Sequence, residues 1–226
     1  MKKQLLAVIA IQLGIIATNM PVSAQPVMST PAATDAEKEA FYAKSIENRV
    51  GDILKALNLS DSEKAGKVHD ILVTQYHDLR VRDAAIDTRL KVEGKEVNFA
   101  NRAALLASES KPLHEEFMKK LSAVLSPEEL EKVKDLMTYN KVSVTYTAYC
   151  NIVSGLTDAE KTKIMELLKA AREEAMDGGN APEKSAIFQK YKDQINSFLD
   201  ANGHDTAKAL QQWAEKHPNT NSPVAK

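Results

Sequence analysis

One short phrase occurs three times and limits what this chain can become: Leu59-Ser60-Asp61-Ser62-Glu63, Leu125-Ser126-Pro127-Glu128-Glu129 and Leu156-Thr157-Asp158-Ala159-Glu160. Each reads as a helix-starting capping box. The hydroxyl accepts from the amide three residues on, and the glutamate reaches back to the amide of the cap. The leucine before the hydroxyl staples onto the helix it introduces. Pro127 takes the first helical position, where a missing N–H costs nothing. Thr34 and Glu37 form a looser fourth box. Apolar residues then recur at helical spacing: Val68, Ile71 and Leu72, then Val133, Leu136 and Met137, then Ile164, Leu167 and Leu168. The hydroxyls are separated by 66 and then 31 residues, so the recurrence is not the even period of a solenoid.

The pattern predicts an all-α fold, a single multi-helix domain of about seven helices, at 35–57, 61–91, 97–124, 127–137, 158–176, 182–200 and 205–216. The second and third are long enough to form an antiparallel hairpin around Gly94. Pro112 is expected to kink the third, or to divide it with Ser110 as a new cap. Gly178-Gly179 ends the fifth helix, and Asn180 with Pro182 opens the sixth. Aromatics are only 5% of the chain and strand-like alternation is almost missing, which favours helix over sheet.

The start of the chain predicts export. Lys2 and Lys3 precede an apolar stretch from Leu5 to Ala17, and Val22-Ser23-Ala24 leads into Gln25 with small residues where a signal peptidase needs them. Residues 1–24 are therefore expected to be a cleaved signal peptide, 25–33 a disordered leader, 34–217 the helical domain and 218–226 a disordered tail. The apolar stretch is too short and interrupted for a membrane span. No Cys lies near the cleavage point, so the expected product is a soluble periplasmic protein, not a lipoprotein, with no membrane attachment after cleavage. Loss of the two lysines takes the net charge from −1 to −3, with both signs interspersed. That leaves no one-sided basic field for nucleic acid. Cys150 is the only cysteine, so no internal disulfide forms, and its neighbours Tyr149, Ile152 and Val153 suit a small buried residue.

Residues 138–151 break the helical pattern. Tyr139, Tyr146 and Tyr149 fall within eleven residues, among Val142, Val144, Thr145 and Thr147. This composition predicts an irregular Tyr-rich connection in its first half, with Thr145 able to cap a short turn toward Val153. Two readings stay open. A tyrosine ring and hydroxyl together suit the apolar face and polar edge of a sugar. Alternatively, the rings plug the core where helices diverge and the hydroxyls bond to backbone.

No motif here names a reaction. His69 and His77 lie eight residues apart, roughly 12 Å along a helix axis, whereas metal-binding pairs want three or four. His114, His204 and His217 stand among charged or terminal residues and read as solvated. Glu115-Glu116, Glu128-Glu129 and Glu173-Glu174 sit beside Lys or Arg, as on a solvated face. A glycosidase-like pair assembled only in space stays open. No catalytic residue, metal ligand or cofactor is assigned.

From Leu125 to Asp205 the chain resembles a family of exported helical proteins from polysaccharide-degrading Gram-negative bacteria, known as domain of unknown function 3826. The resemblance is carried by Leu125-Ser126-Pro127-Glu128, Lys132-Val133-Lys134-Asp135, Met137-Thr138-Tyr139, Val144-Thr145-Tyr146, Tyr149, Ala171-Arg172-Glu173, Tyr191-Lys192 and Ile195-Asn196. A weaker likeness runs back through Asp70–Tyr76. Such proteins usually have Gly where Asn140 stands, and an aromatic near Ile187. The resemblance implies an accessory role among carbohydrate-degrading enzymes, with sugar binding attached to the family by description. It points to Tyr139, Asn140, Tyr146 and Tyr149 as a candidate oligosaccharide site, with Arg172, Lys192 and Asn196 as polar partners. The capping phrase is also similar to the Leu-Thr-x-x-Gln signature of small periplasmic helical chaperones, with Glu in place of Gln. The expectation is a non-catalytic glycan-binding accessory protein. A chaperone-like stress protein and an enzyme with a cryptic carboxylate pair are the alternatives, and protein partners are unknown.

Overall fold

The computed structural model describes residues 34–217, so the expected signal peptide, leader and tail lie outside the described residues. Those residues form eight α-helices and no strands. They are α1 (Asp35–Leu57), α2 (Ser62–Val92), α3 (Phe99–Ser122), α4 (Pro127–Met137), α5 (Lys141–Ile152), α6 (Asp158–Met176), α7 (Ala181–Ala201) and α8 (Thr206–Lys216). Among them none is long and apolar enough to cross a membrane.

Three of the four expected capping boxes form as written. Thr34 pairs with Glu37, Ser126 with Glu129 and Thr157 with Glu160, each with both reciprocal bonds. The phrase at Ser60 does not. Asp61 caps α2 instead, its Oδ1 accepting from the amides of Glu63 at 2.9 Å and Lys64 at 3.1 Å. A carboxylate is a stronger acceptor than a hydroxyl and complements the positive helix end, so one residue of slippage is favoured.

The expected irregular connection is mostly helix. Residues 141–152 form α5, and the irregularity shrinks to the corner before it, where Tyr139 (φ 60°) and Asn140 (φ 55°) are both left-handed. The corner closes α4: the Asn140 amide donates to Asp135 O at 2.8 Å and the Tyr139 amide to Leu136 O at 3.2 Å. Tyrosine resists this conformation, and Arg49 holds it there. Its guanidinium lies 3.9 Å from the Tyr139 ring centroid while Nη2 donates to Leu136 O at 3.0 Å. Glycine adopts a positive φ without a Cβ penalty, so Asn140→Gly is expected to stabilise the protein by about 0.5–1 kcal/mol in urea unfolding. A loss of stability would show that the Asn140 side chain holds the corner.

Pro112 neither ends nor divides its helix: α3 runs unbroken through it, and Ser110 caps nothing, because its Oγ accepts from Arg82 Nη1 at 2.8 Å. The α2–α3 hairpin forms as expected. The helices close over two apolar cores. One gathers Val50 and Ile53 of α1, Leu72 of α2, Leu121 of α3 and Val133 and Met137 of α4. The other gathers Tyr149 of α5, Ile164 and Leu168 of α6, and Phe188, Ile195 and Leu199 of α7. Helix α6 serves both, since Met176 joins the first core while Leu168, Ala171 and Ala175 join the second.

Candidate functional site

The seven expected site residues lie in several places. Tyr149 is wholly buried, and its hydroxyl donates to Asn196 Oδ1 at 2.8 Å and Lys192 O at 3.2 Å. The structure thus brings Tyr149, Lys192 and Asn196 together, inside the α5–α7 packing. Burial pushes the Tyr149 phenol far up, helped by the charges of Asp193 and Asp200. Lys192 is also buried, and desolvation, reinforced by Lys141, pushes its amine down to about 8.

Arg172 is buried at the α4–α6 contact. Nη1 donates to Asp135 Oδ1 and Nη2 to Glu131 Oε2, both at 2.6 Å. Tyr139 and Asn140 are exposed at the α4–α5 corner. Tyr146 lines a shallow depression with Asp158, Lys161 and Met165, a wall that includes neither Tyr139 nor Tyr149. For Tyr149 the core-plug geometry is the one observed.

A better-formed concavity lies elsewhere, between α3 and the α6–α7 turn. It is a cleft of about 450 Å³. Its apolar wall is Phe99, Ala103, Leu106 and Ala107 of α3, faced by Ile187 of α7. Positions 103, 106, 107, 110 and 114 share one face of α3. Small side chains there keep the space open, and Phe99 stands at 41% exposure. The charged part of the wall is Lys111, His114 and Glu115 of α3 with Glu173, Glu174, Asp177 and Lys190. Sequence reasoning placed His114 and Glu173 on a solvated surface, but both are partly sheltered and paired. The sequence signal was the small-residue stripe on α3 ending in a histidine.

His114 Nδ1 lies 3.0 Å from Asp177 Oδ2, and Nε2 lies 3.9 Å from Glu173 Oε2. Glu173 Oε1 is held by Lys134 at 3.0 Å and Arg172 at 3.3 Å. The hydrogen bond to Asp177 raises the His114 pKa above the ordinary imidazole value, against a smaller opposing effect of burial. A raised folded value means that His114 stabilises fully below the unfolded pKa of about 6.5 and stops doing so as pH climbs through the folded value. The stability gap between wild type and His114→Asn is therefore expected to narrow from pH 6 to pH 9. A gap that widened with pH across a urea-unfolding series would contradict the pairing.

Beside the cleft lies a buried cluster of charge. Arg82 donates through Nη2 to Asp83 Oδ1 at 2.7 Å and to the Asp177 carbonyl at 2.8 Å. Arg102 pairs with Asp83 at 3.2 Å, with Glu183 at 2.9 Å, and closely with Asp87. Glu183 Oε2 accepts from the Gly179 amide at 2.9 Å. Burial pushes the Asp83 carboxyl up although both arginines pull it down. The cluster fastens the α2–α3 hairpin to the α6–α7 turn, and Ser110 and Asp177 belong to both it and the cleft wall. Nearby, Lys184 donates to Ala175 O at 2.8 Å and Met176 O at 3.2 Å, closing the C-terminus of α6.

Among the described residues no group of three or more His, Cys, Asp or Glu side chains is arranged to hold a metal ion. No curated protein sequence matches the chain. The model of the family described as "Protein of unknown function (DUF3826)" matches residues 43–218, more than half of the sequence, and the chain belongs to that family.

Proposed function

We propose that this is an exported, non-catalytic accessory protein that binds carbohydrate in the cleft between α3 and α7. The observation that carries the reading is the half-exposed Phe99 on the same cleft as the carboxylates of Glu173, Glu174 and Asp177. An aromatic face suits the C–H side of a sugar ring, and carboxylates accept from its hydroxyls. The N-terminal pattern of Lys2, Lys3, the apolar stretch and Val22-Ser23-Ala24 supports export.

Binding is favoured over turnover. Glycoside hydrolysis needs two carboxyl groups flanking the scissile bond. Glu173 and Asp177 lie one turn apart at the same end of α6, paired with Lys134 and His114, and Glu115 on the facing α3 wall is largely exposed to solvent. Calorimetry with a panel of plant and microbial oligosaccharides tests the reading. At least one is expected to bind, and Phe99→Ala to weaken it at least about tenfold, in line with the loss of an aromatic contact. Tyr139→Ala is the comparison. Affinity lost in Tyr139→Ala and kept in Phe99→Ala would move the site to the α4–α5 corner.

A further inference from the structure

The charges around the cleft go further and specify which sugars fit. Four carboxylates line it, Glu115, Glu173, Glu174 and Asp177, against Lys111, Lys190 and His114. Lys190 and His114 are already held closely. Lys190 Nζ donates to both oxygens of Glu174, at 2.6 and 2.7 Å. His114 faces Asp177 at 3.0 Å, whereas Lys111 only approaches Glu115 at 3.8 Å, an exposed pair beyond hydrogen-bond reach. Behind the wall, Lys134 and Arg172 are held by Glu131, Asp135 and Glu173. The α6 C-terminus reaches the wall at Asp177 and Gly178, and the cations there, Lys184 and Arg82, are taken up by its last carbonyls. The adjoining α7 N-terminus is occupied by its own acceptors, Asn180 and Glu183.

We infer, resting on the carbohydrate reading, that the cleft takes neutral sugar units and rejects uronates. Glu173 Oε2 stands 3.9 Å from His114 Nε2, beyond hydrogen-bond reach, and is placed to accept from a ligand hydroxyl. A sugar carboxylate at the same place meets like charge on a wall that carries more carboxylates than cations. Discrimination of this kind comes from the repelled group as much as from the accepted one.

The test is calorimetry at pH 7 and low salt with matched tetrasaccharides: gluco-, galacto- and manno-oligosaccharides beside their uronate counterparts. The tightest neutral member is expected to bind at least about tenfold more tightly than its uronate partner, and added salt to shrink the ratio. Glu174→Gln, on the exposed rim, removes one negative charge and releases Lys190. It is expected to bring the ratio below about threefold by admitting the uronate. A uronate that binds as tightly as its neutral partner overturns the selectivity and leaves the carbohydrate reading standing. A tenfold ratio that Glu174→Gln leaves unchanged overturns its assignment to this cleft. If no member of either series binds, the carbohydrate reading itself falls, and this inference with it.

Discussion

Replacing Arg102 with methionine is expected to destabilise the protein by about 3–5 kcal/mol, the cost of stranding buried charge. Arg102 reaches Asp83, Asp87 and Glu183 from a side chain that is 9% exposed. Without it, Arg82 is the only arginine of the cluster left to offset three carboxylates. Glu183 is only 8% exposed and would lose its ion-pair partner, keeping the Gly179 amide alone. Methionine preserves most of the volume, so the loss reports charge, not a cavity. Urea unfolding at pH 7 measures it. A loss under about 1 kcal/mol would mean that water replaces the guanidinium readily, as at an exposed surface pair.

Gly179→Ala is expected to cost about 2–4 kcal/mol through the same cluster, by overpacking. A Cβ at position 179 would overlap the Asp83 carboxylate. A free surface carboxylate would swing aside. Asp83 is held by Arg82 and Arg102, so it can yield only by breaking those pairs. The effects of Gly179→Ala and Asp83→Ala are therefore expected to be strongly non-additive, because deleting the carboxylate makes room for the methyl. Gly66→Ala is the control. Gly66 is an exposed α2 residue whose added Cβ meets nothing within 4 Å, and alanine there should gain about 0.5–1 kcal/mol. Equal losses at positions 179 and 66 would count against a steric cause.

The reasons why some features were readable in the sequence, and others not, are physical. Helix starts at Thr34, Ser126 and Thr157 depend on bonds within four residues, so the local phrase was enough. At Ser60 two cap residues compete side by side, and the charged one prevails. The segment after Tyr139 has β-branched residues that disfavour helix, yet α5 forms because Val142, Ala148 and Tyr149 are buried in the second core. Tertiary burial overrides propensity there. Pro112 is tolerated because it interrupts one hydrogen bond within a 24-residue helix. The cleft and its charge cluster join residue 82 to residue 177 and residue 102 to residue 183. No pattern within a single helix announces pairings of that separation.

Among the described residues the most extensive helix contacts are between neighbours along the chain: α1 with α2, α2 with α3, α5 with α6, and α6 with α7. Such pairs close short loops and form early, so the chain should fold quickly for its size. The fastening of the α2–α3 hairpin to the α6–α7 turn is different, because it waits for two preformed units to meet. It is therefore expected to form on the late side of the folding barrier, with φ-values near zero for Arg102 and Glu183 variants. Its arginines and carboxylates then govern chiefly how long the finished molecule lasts, and only slightly how fast it is made.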